Sequence, residues 1–446
     1  MSDSDLSGRI DAKPTKAFFI DMLTRDIGLE QAILDLIDNS VDGAKRISGD
    51  GARLEGRSVR LSFNDSKFRL IDNCGGFDRL TAQNYAFRFG RPKGSADTPN
   101  SIGQFGIGMK RALFKFGRKF SVRSATPQDL WAVDIDVEKW EESEDWHFEW
   151  VDFGPQKPLS HDRPGTEIVV TQLRPNVSAR FATRSFNNAV IDLVKSKHRQ
   201  FIAQGLSIRI NGFHVNALEI ALLATGGITP GVISFPLQDE GEKDVHVTIK
   251  VGVGLSSPKE AGWYVICNGR VVLDADRSSS TGWGQVEASF DRVMLPSFHN
   301  QFARFRGIVT FDSIDSKRVP WSTTKNDIDQ DSSVWARAYP RMLEMARPVI
   351  DFLNEVSEDI DEKTREGSAL NALLSQSYPV RSDNLTHNTV FSAPKRTEVD
   401  FGPDTVKIQY SRLRGDIEFL KGELGLKTAK AVGEKTFDLT LKRHRA

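Results

Sequence analysis

Apolar and polar positions repeat with two different periods along the chain, and these periods predict its elements. Residues 14–46 carry apolar side chains at the spacing of two amphipathic helices, separated by Gly28. Residues 61–72 and 119–173 instead contain short apolar runs bounded by turn residues, which predicts strands. A further helix is expected near residues 185–204, followed by a strand, a turn and a strand. Helices and strands in this mixture predict an α+β fold.

The second half of the chain has its own set of predicted elements. Three strand-like runs lie between residues 246 and 313, and a helical pattern follows over residues 334–356. Residues 357–400 are polar and rich in Ser, Asn and Thr, which is typical of a linker. The sequence therefore predicts four parts, with boundaries at 1–215, 216–356, 357–400 and 401–446.

Composition limits the class of protein. The 446 residues include 60 Lys+Arg and 60 Asp+Glu, so the net charge of zero excludes a polybasic nucleic-acid coat. Hydrophobic residues make up 39% of the chain, which is enough to build cores. The polar N-terminus does not resemble a signal peptide, and no apolar run approaches the roughly 20 residues of a membrane span. With only two cysteines, we expect a cytoplasmic protein without disulfides or membrane contact.

The helix over residues 29–46 carries polar residues on one side. On a wheel of about 100° per residue, its apolar side spans about 100° and its polar row about 60°. The apolar side holds Ile33, Leu34, Ile37, Val41 and Ala44, and the polar row holds Asp35, Asn39 and Asp42. Such a row is typical of a solvated helix face. It also suits a site, because an amide oxygen binds Mg²⁺ and a carboxylate one turn away can hold a water molecule.

Two glycine clusters follow this helix. The sequence Asp-Asn-Cys-Gly-Gly at residues 72–76 comes after a strand, and by itself it is consistent with a simple turn. The sequence Gly-Gln-Phe-Gly-Ile-Gly at residues 103–108 precedes a helix, where free N–H groups converge on anions. Lys110 and Arg111 add positive charge there. The spacing fits neither a Walker loop nor a dinucleotide fingerprint.

The order of these elements resembles the GHKL ATPase superfamily, whose nucleotide site is called the Bergerat fold. The superfamily includes gyrase B, MutL mismatch-repair proteins, MORC ATPases, the heat-shock chaperone of ninety kilodaltons and histidine kinases. The resemblance covers roughly residues 15–215 through four motifs: the acid/amide helix, Asp-Asn-x-Gly-Gly, the second glycine cluster and a Gly-Thr-Glu-Ile strand. It implies an α/β sandwich ATPase domain followed by an α/β transducer domain and a small C-terminal region.

The resemblance implies a role for each matching residue around ATP and Mg²⁺. Asn39 is expected to coordinate Mg²⁺, and Asp35 to orient or deprotonate the attacking water. Asp35 replaces the usual Glu, which is one methylene longer, so slow hydrolysis is expected. Asp72 is expected to accept a hydrogen bond from the adenine amine, with Thr166 nearby and Gly76 letting the base lie close to the backbone. Cys74 stands where the motif usually has its first glycine.

The resemblance also implies a phosphate loop and a lid. The residues expected around the phosphates are Gly103, Gln104, Phe105, Gly106, Gly108 and Lys110. Residues 79–100 occupy the place of the ATP lid, and the cationic residues within them are Arg88, Arg91 and Lys93. Exposed loop cations are equally typical of solvated surface.

Relatives such as gyrase B and MutL follow the ATPase domain with a transducer, from which a loop lysine reaches the terminal phosphate. Lys325, in the segment just before the helix that begins near Val334, is the residue expected in that role. Because this lysine comes from another domain, its contact with the γ-phosphate would couple domain closure to the bound nucleotide. The ATP and ADP states are therefore expected to differ in shape. The resemblance further implies an ATP-dependent homodimer, in which residues 1–25 reach across to the partner.

Three functions follow from these expectations. The first is a slowly hydrolysing ATPase that closes as a dimeric switch or clamp on nucleic acid or on a protein client, in the manner of chaperone-like remodellers. The second is an ATP-binding interaction module without turnover, which the Asp at the base position favours. The third, a histidine kinase, is disfavoured because fewer than thirty residues precede the Asp35 helix and they include no His.

The client is open at this point. Residues 421–446 hold seven Lys/Arg against three Asp/Glu, which suits a few phosphate contacts or a solvated helix. The layout resembles MORC-like and chaperone-like prokaryotic ATPases, some of which act in DNA maintenance or phage defence.

Overall fold

The structure is a computed structural model. It describes residues 14–49, 51, 53–88, 101–103, 108–154, 158–224, 227–284, 295–385, 390–395, 408 and 410–445, and only the backbone of residues 361–367. The chain divides into two compact units, Met1–Arg396 and Thr397–Ala446. The first unit contains two large sheets, so the fold is α+β as the sequence predicts.

An eight-stranded sheet occupies the N-terminal half of the first unit. Its strands, in chain order, are β1 Ser58–Phe63, β2 Lys67–Asp72, β3 Gly117–Ala125, β4 Leu130–Asp136, β5 Trp150–Val151, β6 Gly165–Leu173, β7 Ser207–Ile210 and β8 Phe213–Val215. The spatial order is β5-β4-β3-β6-β2-β1-β7-β8, and neighbours are antiparallel except for the parallel pair β1 and β7. In β1 the buried residues Val59, Leu61 and Phe63 alternate with exposed ones, as expected for a sheet covered on one face.

Helices from the same half of the chain accompany this sheet. They are α1 Lys16–Arg25, α2 Leu29–Ser48, α3 Arg79–Thr81, α4 Gly108–Phe116, α5 Val137–Glu142, α6 Pro175–Phe181, α7 Arg184–Lys197 and α8 Arg199–Ala203. α2 packs against α4 and α7, and all five residues of its predicted apolar side are at most 1% exposed. Burial of these side chains fixes the rotation of α2. As a result, its polar row lies next to Gly103 and Gly108, near the start of α4.

The second sheet has five strands in the order β10-β11-β14-β12-β13. The bounds of the strands in this half are β9 Ala221–Leu223, β10 Gly231–Leu237, β11 Val245–Val253, β12 Gly262–Cys267, β13 Arg270–Asp276 and β14 Phe305–Asp312. The long helix α9, Ser333–Gly367, packs on β11 and β14. The turn between β12 and β13 points its residues Asn268 and Gly269 at the first half of the unit, where Gly269 lies against Phe201.

The stretch for which composition predicts a linker contains regular structure. α9 continues to Gly367, α10 spans Ala369–Gln376, and β15, Pro379–Arg381, pairs with β9. Ser368 Oγ donates to buried Asp359 Oδ2 at 2.5 Å and so joins the two helices. The expectation of a linker over residues 357–385 is therefore wrong, because polar residues on a solvent-facing helix give the same composition as a linker.

The second unit is described over residues 408 and 410–445. It contains α11, Arg414–Leu424, and α12, Ala429–Arg445, with Gly425 in the left-handed conformation at the end of α11. Val432 is its one buried residue among those described. Across the described parts of both units, no helix combines the length and the apolar character that crossing a membrane requires.

Candidate functional site

A cavity of about 240 Å³ lies between the polar row of α2, the ends of β2 and β6, and the start of α4. Residues that line it come from three distant parts of the sequence. They include Asp35, Asn39, Ser40, Asp42, Arg46, Asp72, Gly76, Gly103, Gly108, Arg111, Thr166, Thr323 and Lys325. The residues that carry the four motifs therefore converge on one space, and Lys325 joins them from 290 positions beyond Asp35.

One set of contacts in the cavity, the Asp72 group, centres on a buried carboxylate at the end of β2. Asp72 Oδ1 accepts hydrogen bonds from the backbone N–H of Cys74 at 2.9 Å and of Thr166 at 3.1 Å. Asp72 Oδ2 accepts one from Ser40 Oγ at 2.7 Å. Burial raises the pKa of Asp72 above its ordinary value, although the three hydrogen bonds act to lower it. The carboxylate is thus held in one orientation by the backbone of two strands and by α2.

Gly76 belongs to the same group and is required there by geometry. Its φ is +60°, and a Cβ built on it would lie 2.2 Å from the carbonyl oxygen of Ala125 and 2.8 Å from that of Gly165. Both the backbone conformation and the space exclude a side chain. Arg46 Nη2 donates to the Gly76 carbonyl oxygen at 2.5 Å and ties this turn to α2. The turn at Gly76 is therefore packed directly against the backbone of Ala125 and Gly165, at the wall of the cavity that it lines.

The polar row of α2 lies next to Gly103 and Gly108, the first and last residues of the second glycine cluster. A Cβ on Gly108 would be 3.3 Å from Asp35 Oδ2, and one on Gly103 would be 3.5 Å from Asn39 Oδ1. Asp42 fixes the start of the loop, because its two oxygens accept from the backbone N–H of Ile102 at 2.7 Å and of Gly103 at 2.8 Å. Glycine at both positions lets the loop approach the carboxylates and the amide.

Asp35 is poised as an acid or base. Burial raises its pKa above the ordinary value, and the Lys325 ammonium opposes that rise. Gln31 Nε2 donates to Asp35 Oδ1 at 2.9 Å and restricts the carboxylate from one turn earlier on α2. A raised pKa makes a carboxylate a better proton acceptor near neutral pH, provided that it remains ionised.

Lys325 enters the cavity from a tight loop in the second half of the unit. The loop is closed by a bridge between buried Trp321 and Ile328, and Ser322 O accepts from the Lys325 N–H at 2.9 Å. Lys325 has a φ of +55°, which is uncommon for a residue with a side chain. Such conformations persist where the surroundings impose them, and they cluster at functional sites. The loop thereby directs a buried ammonium to the Asp35 side of the cavity.

Behind the cavity lies the Asp38 cluster, which consists of Asp38, His198, Arg270 and Lys325. Asp38 is 0% exposed. Its Oδ1 lies 2.9 Å from His198 Nε2 and 3.3 Å from Arg270 Nε, and its Oδ2 accepts from Lys325 Nζ at 3.1 Å. Although burial opposes it, Arg270 and Lys325 hold the pKa of Asp38 well below its ordinary value. Burial and Arg270 lower the pKa of His198 to about 4, so this ring is neutral near pH 7.

The structure brings together most of the residues that the sequence singles out, with one exception and five that lie outside the described residues. Gln104, Phe105 and Gly106 lie outside the described residues, as do Arg91 and Lys93 of the expected lid. Lys110 points away from the cavity: it is 1% exposed, and its ammonium donates to the carbonyl oxygens of Ala86 and Arg88. The expectation that Lys110 meets the phosphates is therefore wrong for this structure, and the neighbouring Arg111 lines the cavity instead.

Ser40, Arg46 and Asp38 are site residues that the sequence reading does not single out. On the wheel Arg46 falls within the predicted polar row of α2, and Ser40 falls beside the apolar side; Ser40 orients Asp72, and Arg46 holds the Gly76 turn. On the wheel Asp38 falls between the apolar side and the polar row. A carboxylate at that border is a usable signal, because it is too close to the core to remain solvated without a partner.

The side-chain oxygens in the cavity fit a Mg²⁺ ion that takes most of its ligands from a bound phosphate compound and from water. The Asn39 side chain is exposed in the cavity between Asp35 and Asp42, which gives one amide oxygen and two carboxylates on one helix face. Within the described residues no group of three or more His, Cys, Asp or Glu side chains is arranged to hold a metal ion. Mg²⁺ commonly takes one or two protein oxygens and completes its shell with water and phosphate oxygens. The cavity matches that pattern.

Comparison with known families gives one match. Residues 27–166 match the family described as histidine kinase-, DNA gyrase B-, and HSP90-like ATPases. No curated protein matches the chain significantly. The matched region contains α2, the Asp72 group and the glycine loop, and it ends at Thr166. Residues 27–166 therefore form a GHKL-type ATPase domain, of a kind that binds ATP, and the match covers about a third of the chain.

Proposed function

We propose that the chain binds Mg-ATP and hydrolyses it slowly. The observation that carries this proposal is the convergence of the Asp72 group, the polar row of α2, the glycine loop and Lys325 on one cavity. Lys325 lies well beyond the matched region 27–166, so the cavity joins the ATPase domain to the second half of the unit. A nucleotide fills this arrangement with its base on the Asp72 group and its phosphates beside Lys325.

Each residue has a distinct part in that reaction. Asp72 accepts a hydrogen bond from the exocyclic amine of adenine, and Gly76 lets the ring lie against the backbone. Asp35 holds the attacking water and takes its proton, aided by its raised pKa. Mg²⁺, held by Asn39, supplies positive charge that offsets the charge of the phosphate oxygens. The Lys325 ammonium stabilises charge that develops on the transferred group.

Phosphate release and binding, measured together, test the proposal. Wild-type protein is expected to bind Mg-ATP by calorimetry and to release phosphate above background. Asp35→Ala is expected to bind with similar affinity and to release phosphate about 100-fold more slowly or worse. Asp192→Asn, an exposed carboxylate on α7, serves as the control and is expected to behave as wild type. Wild-type phosphate release from Asp35→Ala would rule out the assigned base.

A second candidate is an ATP-binding interaction module without turnover. The observation that favours it is Asp35 itself, because Asp is one methylene shorter than the usual Glu and a misplacement of about 1 Å costs roughly a hundredfold in rate. The same pair of assays separates the two functions. Binding of Mg-ATP without phosphate release above background supports the module and contradicts the ATPase.

The output we propose is a dimeric switch or clamp that closes when ATP is bound, in DNA maintenance or phage defence, with a protein-remodelling role as the alternative. Support for a nucleic-acid client comes from α12, whose last turn holds Lys442, Arg443 and Arg445 with exposed side chains. A DNA titration at two salt concentrations, with and without a non-hydrolysable ATP analogue, tests this. Binding that ignores both salt and nucleotide contradicts a clamp.

A further inference from the structure

The Asp38 cluster holds more positive charge than it neutralises. Asp38 is the only carboxylate of the cluster, while Arg270 and Lys325 each carry a full positive charge and His198 is neutral near pH 7. Arg270 is 0% exposed, and Lys325 is 7% exposed at the edge of the cavity. Of the two cations, only Lys325 lines the cavity, so a bound phosphate competes with Asp38 for Lys325 alone.

Arg270 has unused hydrogen-bonding capacity beside Asp38. Its Nε lies 3.3 Å from Asp38 Oδ1 without forming a hydrogen bond, and among the described residues none of its guanidinium nitrogens has a hydrogen-bond partner. A fully buried guanidinium with unmet donors is unusual in a folded protein. Its planar fork is suited to binding a carboxylate through two parallel hydrogen bonds.

Without a second cation, the transfer of Lys325 from Asp38 to a phosphate would be unfavourable. It would leave a buried carboxylate with less compensation, which destabilises a protein strongly. Arg270 removes that obstacle because it already lies next to Asp38 and can form the hydrogen bonds that Lys325 gives up. His198 Nε2 holds Asp38 Oδ1 in place throughout, at 2.9 Å.

We propose that Asp38 and Arg270 are positioning residues that govern a counter-ion exchange. In the absence of a terminal phosphate, Lys325 pairs with Asp38. When the terminal phosphate binds Lys325, Arg270 replaces that ammonium on Asp38. The inference rests on the proposed ATP binding, and it adds the step through which the cavity distinguishes a triphosphate from a diphosphate.

The position of Arg270 gives the exchange a route to the second sheet. Arg270 begins β13, directly after the turn at Asn268 and Gly269. The Asn268 carbonyl oxygen accepts from Lys45 Nζ of α2 at 2.8 Å, and Asn268 Nδ2 donates to Ser101 O, just before the glycine loop, at 3.4 Å. A shift of Arg270 toward Asp38 therefore acts on a turn that already contacts α2 and the glycine loop.

The test is the ratio of affinities for the Mg complex of a non-hydrolysable ATP analogue and for Mg-ADP, measured by calorimetry on the full chain. Arg270→Met is expected to lower the preference for the triphosphate by about tenfold while ADP affinity stays the same. Lys325→Met is expected to lower it as well, and adding Arg270→Met to Lys325→Met is expected to cause no further loss. Asp38→Asn in the Arg270→Met background removes the carboxylate that Lys325 would leave unpaired, so it is expected to recover the preference.

Two further variants keep the test decisive. Arg270→Lys retains the buried charge but not the planar fork, so it is expected to fold and to show a smaller loss of triphosphate preference. Arg199→Met removes another largely buried arginine, which pairs with Asp274 at 2.7 Å outside the cluster, and is expected to leave the ratio unchanged.

Each outcome has a distinct meaning. An unchanged ratio in both Arg270 variants overturns the exchange, and so does an equal loss of ADP and analogue binding, which indicates a purely structural role. Failure of Asp38→Asn to recover the preference also contradicts it. Wild-type protein that binds neither nucleotide overturns the proposed function itself, and the exchange with it.

Discussion

The Asp72 group and the Asp38 cluster both involve α2, through Ser40 and Asp38, but they are built in opposite ways. Asp72 is oriented by two backbone N–H groups and one hydroxyl, all from residues 40–166. Asp38 is held by His198 and by two cations, Arg270 and Lys325, both of which come from the second half of the unit. The first arrangement is complete within the matched ATPase region, whereas the second requires the rest of the chain.

Under the proposed function, this difference means that the two parts of a nucleotide are recognised by different means. A site of fixed backbone donors and a glycine turn is preorganised and does not change with the charge of the ligand. A cluster of paired side-chain charges, in contrast, is expected to respond to a phosphate through the proposed exchange of ion pairs. Base recognition is therefore expected to tolerate changes in the second sheet, while the response to the terminal phosphate is not.

The largest expected effect concerns Lys325. Lys325→Met is expected to slow phosphate release by roughly 10²–10³-fold, the usual effect of removing one donor that stabilises the transition state. Affinity for ADP is expected to stay within about threefold of wild type, because the Asp72 group is intact. Steady-state phosphate release and ADP calorimetry give the two numbers. The control is Lys317→Met, which changes an exposed lysine in the same part of the chain. A loss of ADP binding in Lys325→Met would contradict the view that the Asp72 group and the Asp38 cluster act on different parts of the nucleotide.

Acid is expected to destabilise the protein through His198. In the unfolded chain this histidine binds a proton below about pH 6.5, whereas in the folded protein burial lowers its pKa to about 4. The unfolded state therefore binds more protons between these values, and the free energy of unfolding falls as the pH falls from 6.5 to 4, by about 3 kcal/mol.

Chemical denaturation at several pH values measures this dependence. His198→Gln keeps a donor for Asp38 without titrating, so its free energy of unfolding is expected to change less over the same window. An equally steep decline in His198→Gln would show that other groups cause the acid sensitivity.

A smaller effect is expected at Asp72. Asp72→Asn replaces a carboxylate oxygen with an amide group that donates. The substitution disfavours the hydrogen bond from the base and also those from Ser40, Cys74 and Thr166. Affinities for ATP and ADP are expected to fall together, by about 30-fold. Binding titrations with both nucleotides check this, with exposed Asp65→Asn as the control. A loss confined to ATP would mean that Asp72 responds to the phosphates, contrary to the division drawn above.

The smallest effect is expected for Ser40. Ser40→Ala removes the hydroxyl that donates to Asp72 Oδ2 at 2.7 Å but leaves both backbone donors in place. Affinity for either nucleotide is expected to fall by about fivefold, the worth of one hydrogen bond. Ser62→Ala, exposed on β1, is expected to have no effect. A loss as large as that of Asp72→Asn would show that the backbone donors do not hold the carboxylate by themselves.

The sequence predicts the Asp72 group and the polar row of α2 well because both depend on short spacings. Helical periodicity places Asp35, Asn39 and Asp42 together, and the two glycine clusters mark where backbone approaches the cavity. The resemblance to GHKL ATPases then selects Lys325, which no local pattern distinguishes from other loop lysines.

The Asp38 cluster could not be predicted in the same way. His198 and Arg270 reach Asp38 through the packing of α7 and β13 against α2, and neither position carries a local signal for an ion pair. Lys110 shows the converse error: charge near a glycine loop suggested phosphate contact, but the turn of α4 directs its ammonium to the carbonyl oxygens of Ala86 and Arg88. The position of a residue around its helix decides whether its side chain reaches the cavity, and its charge alone does not.

The parallel pairing of β1 with β7 has a consequence for folding. Residues 58–61 pair with residues 207–210, so the sheet that carries Asp72 closes only after some 150 intervening residues have been placed. Contacts this far apart in sequence form slowly. A chain cut at the end of the matched region would also leave β1 as an unpaired edge, a template for aggregation. The smallest part that folds independently is therefore expected to extend at least to β8, well past the segment that defines the superfamily.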